Sequence, residues 1–270
     1  MISSGEITFV ILTWNSEEYI GGCLDSIASF THIPSRVIIV DNGSTDATIE
    51  IAEAHLPACN SLLLKQDKNL GTTVSRNIAF AEIGESPYVC VLDSDTIVNE
   101  AAFLTMLNVL KNDESVGIVG PTMRNAAGIE QLSGRNLPSL GIKIRKAIPI
   151  KGFQARGAKL EQPDTPILDG LQNVPYLLSA CWLMKTSLLC EVGMLDENIF
   201  YAPEDVDYCV RVWEAGYRVV RCWNANIIHE YQRISKKKLL SKMNLEHVKG
   251  LIYYFIKHGY FFKQKNVLNI

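Results

Sequence analysis

Tyr88-Val-Cys-Val-Leu-Asp-Ser-Asp95 is an apolar run that stops abruptly at two carboxylates. The run reads as a strand, and its neighbours on both sides say what kind of sheet it joins. Upstream, Thr8-Phe-Val-Ile-Leu12 reads as a buried strand. Tyr19, Ile20, Leu24 and Ile27 then keep helical spacing between Glu17 and Ser29. Arg36-Val-Ile-Ile-Val40 is a second strand, Thr48 to His55 a helix, Ser61 to Lys65 a strand and Thr72 to Ala81 a helix. Downstream, Glu100 to Leu110 is helical and Val116 to Val119 closes the series. Strand and helix alternating at this pitch predict an α/β fold, a mostly parallel central sheet with helices on both faces.

The rhythm breaks after Pro121. From there to Pro175 the chain is richer in Gly, Pro and basic residues and reads as loops with short elements. Order returns at Tyr176 to Met184 and in a helix from about Asp205 to Ala215, and Lys236 to Phe262 is a helical tail. These divisions give one domain over residues 1–230, with halves 1–120 and 121–230, and a C-terminal tail over 231–270.

With 270 residues and 47% hydrophobic content, the chain has ample material for a core. Its 26 Lys+Arg against 29 Asp+Glu give a net charge of -3, which argues against a protein that works by gripping nucleic acid. Seven scattered cysteines without a CxxC pair, three of them (Cys90, Cys181 and Cys209) in apolar runs, suit a reducing compartment. Met1 to Glu6 shows no signal-peptide pattern, and Gly250-Leu-Ile-Tyr-Tyr-Phe-Ile256 is too short to span a bilayer. A cytoplasmic location is therefore expected.

Ligands of a parallel sheet collect beyond the carboxyl ends of its strands, which is where Asp93-Ser-Asp95 falls. Carboxylates at i and i+2 can offer oxygen to a hard divalent cation and a diphosphate; equally, Asp95 or Ser94 can cap the next helix. Asp41-Asn-Gly-Ser-Thr-Asp46 ends the second strand. It makes a good turn, with Ser44 or Thr45 as a cap, and it sets Asp41 where a carboxylate can accept the imide N–H of uracil or thymine. Lys68-Asn-Leu-Gly71 and Ser75-Arg-Asn77 run a loop into a helix whose N-terminus, with Arg76, offers an anion site for a diphosphate. Pro203-Glu-Asp-Val-Asp207 places three carboxylates in one helical turn, more than the macrodipole requires. Asp205 is the candidate general base, with Glu204 and Asp207 beside it on the acceptor side. His229, after Ala225-Asn-Ile-Ile228, suits a further position on a metal held by carboxylates.

In this order the pieces resemble glycosyltransferase family 2, enzymes of the GT-A fold. The features that carry the resemblance are Phe9-Val-Ile-Leu-Thr-Trp-Asn15, Asp41-Asn-Gly-Ser-Thr-Asp46, Asn69-Leu-Gly71 with Ser75-Arg-Asn77, Asp93-Ser-Asp95 and Glu204-Asp205. Ser179-Ala-Cys-Trp-Leu-Met184, Val192-Gly-Met-Leu-Asp196 and Phe200 to Asp207 look most like the rhamnosyltransferase-type members of bacterial surface polysaccharide assembly. The resemblance implies that Thr13 and Asp41 contact the pyrimidine, with Asn69 and Arg76 nearby on the nucleotide. It implies Asp93 at the ribose and metal, Asp95 as a direct ligand of Mg²⁺ or Mn²⁺, Asp205 as base and His229 as a metal or diphosphate ligand. No Gln-x-x-Arg-Trp occurs, so transfer of a single sugar is expected.

The implied reaction is inverting transfer from a dTDP- or UDP-linked sugar, rhamnose among them, to a hydroxyl of a glycan or lipid-linked glycan. Two alternatives stay open: a non-catalytic nucleotide-sugar-binding or assembly subunit, and a sugar-phosphate nucleotidyltransferase. The second needs a glycine- and arginine-rich phosphate loop that Thr8 to Ser16 lacks. The basic, amphipathic tail reads either as a helix docked on the core or as a peripheral contact with the inner face of the membrane.

Overall fold

The strands run in chain order β1 (Ile7–Thr13), β2 (Ser35–Asp41), β3 (Ser61–Lys65), β4 (Tyr88–Asp93), β5 (Thr96–Ile97), β6 (Val116–Arg124), β7 (Glu130–Gln131), β8 (Gly134–Arg135), β9 (Ile167–Leu168), β10 (Leu171–Asn173), β11 (Tyr176–Leu177), β12 (Cys181–Lys185) and β13 (Arg218–His229). The helices are α1 (Ile20–Ala28), α2 (Thr48–His55), α3 (Thr72–Phe80), α4 (Glu100–Asn112), α5 (Leu140–Ala147), α6 (Lys151–Leu160), α7 (Leu188–Glu191), α8 (Glu204–Glu214) and α9 (Lys242–His258). This is a computed structural model, and it describes residues 6–56, 60–230 and 242–268.

One sheet organises the chain, in the order β3-β2-β1-β4-β12-β6-β13-β10-β9. The first four strands are all parallel, as the alternating pattern predicts. β12 then enters antiparallel between β4 and β6, and β13 returns parallel to β6. Successive residues of β1 feed opposite sides: Ile7, Phe9 and Ile11 join the core under α1 and α4, and Val10 joins the core under α3 and α8. Both faces of the strand are dry, so neither shows alternation with polar residues. Cys90, Cys181 and Cys209 are buried among these apolar side chains with free thiols.

The unpatterned stretch resolves into short pieces. β6 runs on to Arg124, and the α5–α6 helical hairpin follows the two-residue strands β7 and β8. The segment Tyr176 to Met184 is two strands, because the chain leaves β11, which pairs with β8, before entering the main sheet as β12.

The described part of the tail is docked. Tyr254 and Phe255 of α9 are buried in the α3–α8 core. A Cβ on Gly250 would lie 2.2 Å from the Ala202 carbonyl oxygen, so only glycine lets α9 approach the loop before α8 this closely. Lys236 to Lys238, Leu239 and Leu240, part of the predicted tail helix, lie outside the described residues. No helix among the described residues is long and apolar enough to cross a membrane.

Candidate active site

A cleft of about 480 Å³ opens at the carboxyl ends of β1 and β4. Asp93, Ser94 and Asp95 form part of its lining, with His229 beside them and Glu204 and Asp205 also on its wall. Asp93 ends β4 and Asp95 follows two residues later. His229, the last residue of β13, is brought alongside by pairing with Thr96 of β5. The helix-cap reading of Asp95 or Ser94 does not apply, since Asn99 caps α4 by accepting from Ala102 N at 2.9 Å.

One ligand atom from each of Asp93, Asp95 and His229 lies within 4.8 Å of the others. His229 Nε2 is 3.4 Å from Asp95 Oδ1. Its Nδ1 sits 2.8 Å from Gln131 Oε1, and Gln131 Nε2 donates to the His229 carbonyl at 2.7 Å. The amide oxygen can only accept, so it places a proton on Nδ1 and turns Nε2 toward the carboxylates, where the neutral ring can ligate a metal. Burial alone would lower the His229 pKa, but Asp95 and then Asp93 outweigh it and raise it. Two carboxylates and an imidazole nitrogen, with a nucleotide's oxygens to complete the shell, suit Mg²⁺ or Mn²⁺.

Arg76 is not an exposed anion site. It is 3% exposed; Nη1 donates to Glu204 Oε1 at 3.1 Å and Nη2 to Asp93 Oδ1 at 3.0 Å. The first N–H of α3 is also taken, because Thr72 N donates to the Phe200 carbonyl at 2.7 Å. Gly71 permits this approach: its φ is +88°, and a Cβ there would lie 2.3 Å from that same oxygen. The start of this helix is thus braced against the 199–203 loop, while Gly71, Thr72 and Arg76 still form part of the cleft lining.

Thr13 and Asp41 sit beneath the cleft and do not line it. The Asp41 carboxylate is buried and accepts from Thr13 Oγ1 (2.9 Å), Ser44 Oγ (2.5 Å), Ser44 N (2.9 Å) and Gly43 N (3.1 Å). Four internal donors thus engage the two carboxylate oxygens. Asn42, itself buried, borders the cleft. Its Nδ2 donates to Asn69 Oδ1 at 2.9 Å, and its Oδ1 accepts from Leu70 N and Ser75 Oγ, which ties the two loops into one cleft rim. Asn69 itself lines the cleft, as does the exposed Trp14. Ser44 and Thr45 do not cap α2 either; Asp46 takes the Thr48 N–H at 3.1 Å.

The three acids of α8 part ways. Glu204, 6% exposed, accepts from Arg76 and from Ser179 Oγ at 3.0 Å. Burial first, and the Asp205 charge second, push its pKa up to about 8 against the pull of Arg76. Asp205 faces the cleft, its Oδ1 accepting from Val206 N at 2.8 Å. Burial raises its pKa too, while Arg135 and Lys143 on the same wall favour the carboxylate. Asp207 points away from the cleft, contrary to the acceptor-side expectation. It is 1% exposed and binds Arg211 Nε (3.0 Å), Lys257 Nζ (2.7 Å) and His258 Nε2 (2.9 Å). The i, i+2 offset that separates Asp205 from Asp207 turns them to different faces of the helix, so Asp207 clamps α9 to α8.

Residues 4–245 match the family described as "Glycosyltransferase like family 2". The chain belongs to glycosyltransferase family 2. It is 26% identical over 268 residues to the N-acetylglucosaminyl-diphospho-decaprenol L-rhamnosyltransferase of Mycobacterium tuberculosis, covering 93% of this chain and 84% of that protein. It is likewise 26% identical over 202 residues to the O-antigen chain rhamnosyltransferase WbaN of Salmonella anatum, 74% of this chain and 58% of that one. Among solved structures, a mannosyltransferase of Pyrobaculum calidifontis with GDP-Man and Mn²⁺ superposes with a TM-score of 0.65 at 17% identity, over 98% of this chain and 67% of that one. S. aureus TarS 1-349 with UDP gives 0.59 at 21% identity, over 82% of this chain and 59% of that one. The fold is thus that of the GT-A glycosyltransferases, with a C-terminal helix added.

Proposed function

We propose that this glycosyltransferase inverts the anomeric centre of a UDP- or dTDP-linked sugar, rhamnose among the candidates, as it passes that sugar to the hydroxyl of a glycan or lipid-linked glycan. The observation that carries the reading is the placement of Asp205 in the same cleft as the Asp93, Asp95 and His229 cluster. Residues 1–120 supply the donor side and 121–230 most of the acceptor side. Trp14 offers an aromatic face for the base beside Asn69 and Asn42, and Asp93, Asp95 and His229 would hold Mg²⁺ or Mn²⁺. A bound divalent ion supplies charge neutralisation at the departing diphosphate. Asp205 accepts the proton of the attacking hydroxyl, and Arg135 and Lys143 oppose the rise that burial imposes on its pKa. With the base on the protein and a good leaving group on the sugar, one displacement suffices and the configuration inverts. The relatives named as rhamnosyltransferases support a role in cell-surface polysaccharide assembly.

Calorimetric titration with UDP, dTDP, GDP and CDP, with and without Mn²⁺, tests the donor side. Metal-dependent binding of UDP or dTDP is expected. Folded protein that binds no nucleotide in the presence of metal would instead favour a non-catalytic assembly subunit.

Gln131 gives a second test. Replacing it with leucine removes both bonds to His229 and frees the ring to rotate. Mn²⁺ affinity in the presence of nucleotide is expected to fall about 10–100-fold, with the melting temperature little changed. Unaltered Mn²⁺ affinity would remove His229 from the ligand set.

A further inference from the structure

Residues 131–160 contain seven Lys and Arg and no Asp or Glu. The whole chain carries -3, so the other 240 residues stand at -10 once these seven charges are set aside. The asymmetry is concentrated on the α5–α6 hairpin. Gly157 is buried where the two helices meet, and a Cβ there would lie 2.8 Å from Lys146 Cγ. With that face packed inward, the opposite face of α6 turns Lys151, Ala155 and Lys159 outward at i, i+4, i+8, with Arg156 next to them, all exposed. Arg145 is exposed on α5. Lys146 is balanced by Glu161 at 2.7 Å, but no ion pair is formed by Arg145, Lys151, Arg156 or Lys159 among the described residues. Large apolar side chains stand among these cations: Ile144 is 48% exposed, Ile150 55%, Phe153 41% and Leu160 43%.

The surface continues into the tail. Leu140 N donates to the Phe261 carbonyl at 2.8 Å and Gln264 Nε2 to the Leu137 carbonyl at 2.6 Å, so the exposed Phe261 and Phe262 lie beside the start of α5. The same helix reaches the cleft on its other side through Lys143, which shares that wall with Asp205.

We propose that the α5–α6 hairpin, flanked by Phe261 and Phe262, docks on an anionic lipid bilayer and holds the acceptor wall of the cleft at the membrane surface. Unpaired cations beside exposed aliphatic and aromatic side chains match what an interfacial helix needs, which is headgroup charge for the lysines and arginines and the acyl boundary for the apolar groups. A soluble acidic partner would answer the charge but not Ile150 and Phe153. The placement deepens the lipid-linked acceptor reading above, and it moves the lipid contact from the tail helix to a hairpin in the middle of the chain.

The test is co-sedimentation of the full chain with phosphatidylcholine vesicles, with and without phosphatidylglycerol. Binding is expected only with the anionic lipid, weakening as salt rises. The surface variant Lys151→Glu/Arg156→Glu/Lys159→Glu is expected to lose roughly 100-fold or more in vesicle affinity, taking each basic side chain near the surface at about its usual contribution. Ile150→Ser/Phe153→Ser is expected to lose affinity that salt cannot account for. Nucleotide binding by the same variants reports the donor site separately and is expected to be unchanged. Wild-type protein that ignores anionic vesicles, a charge-reversed variant that binds them as tightly as wild type, or retention on heparin without vesicle binding would each overturn the proposal.

Discussion

Asp205→Asn is expected to reduce sugar transfer by roughly 10²- to 10⁴-fold, the range over which a positioned general base contributes, and to leave nucleotide affinity within about twofold. Asparagine keeps the size of the side chain and can still accept the Val206 N–H that fixes the rotamer at 2.8 Å. What it loses is the basic oxygen. The donor cluster of Asp93, Asp95 and His229 is a separate group on the cleft wall, so removing the base does not dismantle it.

The pH dependence follows from the same site. Burial raises the Asp205 pKa, and the base works only when ionised, so the rate is expected to rise with pH through a limb placed above the ordinary aspartate range. That limb should vanish in the variant's residual rate. A variant that transfers at a third of the wild-type rate, or one that loses nucleotide binding in proportion to its activity, would make Asp205 a structural residue.

The parallel strands and the position of Asp93 were readable because their signals are local. In β4 an apolar strand runs straight into Asp93, and the fold places that point at the sheet's carboxyl edge whatever the rest of the chain does. His229 was harder, yet the break from apolar Ile228 to histidine at the end of a strand was enough to nominate it. Gln131 carried no such signal. It lies in a two-residue strand inside the unpatterned stretch, and its value depends on a partner 98 positions away. Arg135, Lys143 and His247 are likewise cleft residues only because three distant segments meet there.

Residue type alone does not show how far a charged group is already engaged by the protein. Asp41, Arg76 and Asp207 all look like groups that seek a ligand. Each finds partners within the protein: the 43–44 turn for Asp41, two carboxylates for Arg76, which also lines the cleft, and the cations of α8 and α9 for Asp207. A charged side chain in a sequence shows what it can bind. The tertiary neighbours decide whether that capacity is left for a substrate.

Arg76 provides the sharpest measure of that internal pairing. Arg76→Met is expected to destabilise the fold by about 3–5 kcal/mol at alkaline pH, because it strips the cation from a buried carboxylate. Glu204 has little water to turn to, and apart from Arg76 its carboxylate is left with the Ser179 hydroxyl and its own backbone N–H. The penalty depends on protonation. The folded-state pKa of Glu204, about 8, lies above its unfolded value, so the neutral form favours folding at low pH and that contribution is lost as pH rises through 8. Without Arg76 the folded pKa moves higher still. Below about pH 6 both proteins hold Glu204 protonated, and they differ mainly by the bond to Asp93 and the packing of the arginine stem. Above pH 8 the wild type can ionise Glu204 against a cation and the variant cannot, so the two stability curves should diverge. Urea unfolding at pH 6 and pH 9 measures the gap. Adding Glu204→Gln to the variant should close most of the alkaline difference, since no buried charge then remains to be stranded. Curves that stay parallel across this range would mean that Arg76 acts through packing alone and that Glu204 is not the group it serves.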